Sequence, residues 1–141
     1  MREREIKMPP LPWKTLTAPD REREYVALLS FLPLKHYQTI PLFFWLTFKT
    51  QQQLRKARGL IGYSLQAEPL ARRLWTLSAW EDQRSLMLFV HGLPHGKIMQ
   101  ILAPHMAKTQ FVQWKVRGAE IPLTWGAAKE RMTLSRTIYY E

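Results

Sequence analysis

Two histidines, His91 and His95, stand four residues apart. On an unbroken helix that spacing could hold a metal ion. Gly92 and Pro94 interrupt the helix, and no third ligand stands nearby, so no metal is expected. His95 is the candidate general acid or base, because imidazole titrates near neutrality. Glu81 and Asp82 resemble paired carboxylates. Consecutive residues on a helix point different ways, however, and Asp82 is placed to cap the helix that follows. Ser64, Thr76 and Ser78 offer hydroxyls, but none has a base in a nucleophile pattern, so hydrolytic chemistry is not expected. The six glycines are scattered, with no phosphate-cradling loop, and no nucleotide cofactor is expected.

These residues must be carried by regular elements. "YVALLSFLPL" (25–34) is a short apolar run bounded by proline, a strand buried on both faces. "TIPLFFWLTFKTQQQLRKARG" reads as a helix with Thr39 as cap, Pro41 in the first turn and Gly59 past the end. Arg55, Lys56 and Arg58 complement its dipole. Its "FFW" aromatics are expected in the core. "LIGYSLQA" and "RLWTLSAW" alternate and form a hairpin with a loose loop. A helix carries Leu86, Phe89, Val90 and Leu93 at helical spacing, and a second piece carries Ile98, Ile101 and Leu102. "TQFVQWKV" is the last clear strand. "IPLTWGAAKERM" is a short helix capped by Thr124, and "TIYY" is expected at a sheet edge or across a partner.

The order strand, helix, strand, strand, helix, strand predicts an α+β, ferredoxin-like βαββαβ domain: an antiparallel sheet with its helices on one face. Residues 1–20 read as an irregular, proline-rich N-terminal arm, 21–134 as the ferredoxin-like domain and 135–141 as a C-terminal tail. Trp13 and Leu16 suggest that the second half of the arm docks on something.

Pattern alone assigns Ile61, Tyr63, Leu65, Trp75, Leu77 and Ala79 to the helix-covered face. Gly62, Ser64, Gln66, Thr76, Ser78 and Trp80 then fall on the other. Phe111 and Gln113 share one phase of the last strand, and Val112, Trp114 and Val116 the other. A bare face holding aromatics, hydroxyls and small residues would be an association surface. A second copy of the same sheet would cover it and leave a cavity lined by Ser64, Thr76, Ser78, Trp80 and Phe111.

The chain has 141 residues, 46% of them apolar, enough for one domain with a real core. There is no cysteine, which excludes disulfides and thiolate chemistry and suits a reducing cytoplasm. No apolar run is long enough to span a bilayer, and the charged start has no secretory character. The net charge of +10 favours nucleic acid or another anionic surface as partner. No RNP-like aromatic run supports an RNA-binding sheet.

The stretches "WTLSAWED", "LMLFVHGLPH" and "FVQW" resemble the antibiotic biosynthesis monooxygenase superfamily, the dimeric α+β barrels, over roughly residues 24–130. The nearest flavour is an uncharacterised bacterial branch of DUF3291 type. The resemblance implies a homodimer with sheets face to face and a pocket for a small apolar molecule. The function it implies is that of a small-molecule-binding protein or a cofactor-independent monooxygenase-like enzyme acting on an apolar or aromatic substrate. The alternatives are a non-catalytic dimeric binding protein and a basic nucleic-acid-binding module. A heme-degrading branch has a tryptophan like Trp80, but its heme-ligating histidine would fall near Met99, so heme is disfavoured and no cofactor is expected.

Overall fold

In the computed structural model of the chain, residues 11–92 and 95–134 are described. Residues 1–10, the proposed tail 135–141 with its "TIYY", and Leu93 and Pro94 lie outside them. Five strands, β1 (Lys14–Thr15), β2 (Glu24–Pro33), β3 (Leu60–Glu68), β4 (Arg73–Trp80) and β5 (Gln110–Arg117), form one antiparallel sheet in the order β1-β3-β4-β2-β5. Helix α1 (Ile40–Leu54) connects β2 to β3, and α2 (Gln83–His91) and α3 (His95–Leu102) connect β4 to β5. Helix α4 (Trp125–Leu134) follows β5. The fold is α+β and ferredoxin-like. Among the described residues no helix is long and apolar enough to cross a membrane.

Local chemistry explains most boundaries. Asp82 caps α2 by accepting from the Ser85 backbone N–H at 2.8 Å, and that bond holds its carboxyl below the ordinary range. Thr124 caps α4 through Ala127 N at 3.3 Å. Gly59 takes φ +80°, in the left-handed region, and turns the chain into β3; a Cβ there would strike Ser85. Thr39 does not cap α1. It closes a short 3₁₀ turn, Tyr37–Thr39, with helical backbone angles of its own, so its side chain is not aimed at the first turn.

The hairpin register corrects the face assignment. Glu68 pairs with Arg73, and the four residues between them put Leu65 opposite Thr76 and Tyr63 opposite Ser78. Residues directly opposite share a face, so Tyr63 and Leu65 join Thr76, Ser78 and Trp80, while Ser64 joins Leu77. A bulge between Leu60 and Gly62 lets Leu60 pair with Trp80 and sends Ile61 to the cluster of Tyr25, Ala27 and Ala79. Trp75, Leu77 and Ala79 therefore turn away from α1–α3. Thr76, Ser78 and Trp80 turn toward them.

The far face is not bare. Trp13, Leu123, Trp125, Ala128 and Met132 pack over Leu29, Leu77 and Val112, and Leu29 and Leu77 have no exposed surface at all. The expectation that helices cover one face only, leaving the other for a second copy, is thus corrected: the chain roofs that face itself. The N-terminal arm is also more regular than expected. Lys14 and Thr15 pair with Tyr63 and Gly62 as an edge strand, and Leu11 N donates to Leu65 O at 2.8 Å. Trp13 lies so close to Gly62 that a Cβ there would come within 2.5 Å of its indole nitrogen.

Candidate functional site: a cavity between the sheet and three helices

A cavity of about 590 Å³ lies between the inner face of the sheet and helices α1–α3. Its floor is the inner register of β2, β4 and β5. Ser30 opposes both Thr76 and Phe111, and Leu28 opposes both Ser78 and Gln113. Tyr63 and Leu65 continue the floor on β3. The roof comes from Phe43, Thr47, Thr50, Gln51 and Leu54 of α1, together with side chains of α2 and α3.

Five of the sequence-predicted residues, Thr76, Ser78, Trp80, Phe111 and His95, line this one cavity. Ser64 does not. It is buried on the outer face, donates to Leu11 O at 2.6 Å and accepts from Trp125 Nε1 at 3.1 Å. The four-residue hairpin connection placed it there. Its role is to tie the arm and α4 to β3.

Trp80 is 1% exposed and donates its indole N–H to Ser78 Oγ at 2.9 Å. Both side chains rise from the same face of β4, two residues apart, so the bond follows from the strand period. Ser78 Oγ is thereby the acceptor, and its own proton is left for another oxygen. Trp80, Phe89 and His95 form a row of rings, with centroids 5.3 Å apart for the first pair and 4.7 Å for the second.

His95 Nδ1 lies 3.0 Å from the Val90 carbonyl oxygen. A carbonyl only accepts, so Nδ1 carries the proton and the lone pair sits on Nε2. Burial pushes the His95 pKa below 6.5, against the pull of the Val90 bond, and neighbouring His91 lowers it further. The ring is neutral at pH 7 and has one basic nitrogen. His91, by contrast, is exposed beyond the cavity lining, so the two histidines do not work as a pair.

Pattern reading missed the polar wall. Thr47, Thr50 and Gln51 share the inner stripe of α1 with Phe43 and Leu54, and their spacing, three and four apart, was the available signal. Thr50 donates to Leu46 O at 3.0 Å. Gln113 on β5 is held by a paired amide contact with Gln83 at the start of α2, at 2.7 Å. Apart from these and Ser30, Thr76, Ser78 and His95, the lining is apolar or aromatic, and among the described residues it has no Lys, Arg, Asp or Glu. Such a site would bind a mostly apolar molecule and orient it by a few hydroxyls, two amides and one imidazole.

No protein-family model and no curated protein matches the chain. The narrower likeness to the DUF3291-type branch therefore has no model match behind it. Solved structures do match. A candidate monooxygenase of Fusobacterium nucleatum superposes with a TM-score of 0.62 at 9% identity, over 72% of this chain and 46% of that one. A candidate monooxygenase of Lactobacillus acidophilus gives 0.61 at 11% identity, over 75% and 49%. SnoaB, a cofactor-independent oxygenase of Streptomyces nogalater, gives 0.55 at 11% identity, over 66% and 93%. The chain spans about half the length of the first two. At these identities the likeness establishes one thing. The chain shares the α+β, ferredoxin-like fold of these structures.

Proposed function

We propose that this protein binds a small, largely apolar molecule in the cavity between the sheet and α1–α3. On an aromatic substrate it acts as a cofactor-independent, monooxygenase-like enzyme. The observation that carries the reading is the cavity itself. Its volume falls inside the roughly 300–1,000 Å³ usual for small-molecule sites, and its lining gathers Thr76, Ser78, Trp80, Phe111 and His95. The fold shared with SnoaB supports the reaction class.

The chemistry uses the substrate's own electrons. His95 Nε2 takes a proton from an acidic CH₂ group of an electron-rich aromatic. The resulting carbanion reduces dioxygen, and CH₂ plus O₂ become C=O plus water. Trp80 and Phe111 hold the ring system, and Ser78 donates its free proton to an oxygen of the substrate. Exclusion of water keeps the imidazole neutral, able to accept the proton, and shields the carbanion from protonation by solvent. The reading needs no cofactor. Heme carries two carboxylates, and among the described residues the lining has no Lys or Arg to meet them, so the described lining does not fit it.

The test uses anthrone, a flat aromatic with an acidic CH₂. Quenching of tryptophan fluorescence reports binding, and an oxygen electrode reports turnover. Binding and oxygen uptake are expected in the wild type. Trp80→Ala should weaken binding, and His95→Ala should remove uptake while binding persists. Binding without uptake reduces the protein to a non-catalytic carrier. Binding unchanged in Trp80→Ala would remove the site assignment.

A further inference from the structure

The first half of helix α1, residues 40–48, is apolar on both its inner and its outer side. Its inner side buries Phe43, Leu46 and Leu54, but its outer side displays Trp45 at 55% and Phe48 at 53% exposure, with Leu42 and Phe44 beside them. The "FFW" run is therefore not core, as its composition predicted; only Phe43 is. A helix apolar on both sides is one whose outer side has a cover. Trp45 and Phe48 stack at 6.3 Å, and the Lys49 ammonium sits 5.1 Å above the Trp45 ring.

The charge around this stripe has one sign. From Lys35 to Ala67 there is no Asp or Glu, and from Gln83 to Ala119 there is none either. Within the described residues of the three helices the formal charges are thus all positive, and the nearest carboxylates, Glu81 and Asp82, stand at the start of α2 beside Gly59 in the exit turn of α1. Lys49, Arg55, Lys56 and Arg58 follow the aromatic stripe along α1 and its exit turn, all exposed, and Lys97 is exposed on α3. The eleven acidic residues all lie elsewhere in the sequence.

Charge complementarity selects the cover. Two copies meeting here would set cation against cation. A sheet of anionic lipid headgroups over an acyl layer satisfies both features at once. Tryptophan and phenylalanine settle at the headgroup–acyl boundary, and lysine and arginine meet the phosphates. We propose that the outer face of α1 docks the protein on an anionic lipid bilayer. Leu42, Phe44, Trp45 and Phe48 enter the boundary, and Lys49, Arg55 and Lys56 bind headgroups. None of these seven lines the cavity.

The test is sedimentation of the full chain with vesicles of phosphatidylglycerol and phosphatidylcholine in equal parts, beside vesicles of phosphatidylcholine alone, at physiological salt. The protein should pellet with the mixed vesicles and stay in solution with the neutral ones. Trp45→Ser with Phe48→Ser should weaken the partition about tenfold. Lys49→Gln, Arg55→Gln and Lys56→Gln together should weaken it about a hundredfold. Circular dichroism verifies folding, and the charge variant, confined to exposed positions, carries the test if the aromatic one unfolds. Three outcomes overturn the proposal. One is equal binding to neutral vesicles. Another is self-association abolished by the aromatic variant with no vesicle binding. The third is single-stranded DNA that displaces the protein from vesicles and is itself released by the charge variant.

Discussion

Ser78 receives the indole N–H of Trp80 at 2.9 Å, with both side chains buried. The pair links the most buried aromatic of the cavity to one of its lining hydroxyls. Ser78→Ala leaves the indole nitrogen buried without an acceptor, which costs about 1–3 kcal/mol. Ser78→Thr keeps the oxygen and should lose less. Urea midpoints of the three proteins, at equal slope, decide it.

His95 gives a pH signature. Its folded pKa lies below 6.5, so the unfolded chain takes up the proton first as pH falls. The stabilising contribution of the neutral ring is complete above about pH 6.5 and is lost as pH falls through the folded value. His95→Gln should flatten that acid-side decline. Chemical denaturation across the same window measures it. Oxygen uptake should show an acid limb with its midpoint below 6.5 and no change above it.

The two faces of β3 and β4 separate stability from binding. Ser64→Ala breaks the contacts to Leu11 and Trp125 on the outer face and should lower stability by about 1–2 kcal/mol with anthrone affinity unchanged. Thr76→Phe fills the cavity floor and should lower affinity about tenfold or more with the fold retained. The opposite pattern would mean that ligand binds outside.

Trp13 roofs the outer face with its indole nitrogen buried and unpartnered. Trp13→Phe removes that orphan donor and should be neutral or stabilising. Trp13→Ala uncovers the sheet beside Gly62 and should cost about 2–4 kcal/mol. It should also bring concentration-dependent association, visible by analytical ultracentrifugation.

The βαββαβ order was legible because the hairpin strands and the helix after β4 have their own periods and β2 is a short apolar run bounded by proline, and Asp82 and Thr124 mark helix starts with residues that do that job by chemistry alone. The face of each hairpin strand was not. It depends on the exact length of the connection after Glu68, and that turn has no Gly or Asn to announce it. Arg72, at φ 57°, takes the left-handed position instead. Tyr63 and Leu65 were placed with the helices by alternation, but Thr76 and Ser78 were not, because a slip of one residue inverts a strand. Thr76, Ser78, Trp80 and Phe111 still converge, since they share an inner register that needs no second subunit. Helix α4 was legible as a helix, but where it packs depends on tertiary contacts that no local pattern contains.

The roof over the outer face is assembled from both sides of the βαββαβ core in the sequence. Trp13 precedes every long strand, and Met132 follows them all. During synthesis the sheet is therefore complete before its last cover exists. Leu29 and Leu77 stay open to chaperones and to other nascent chains until α4 has left the ribosome.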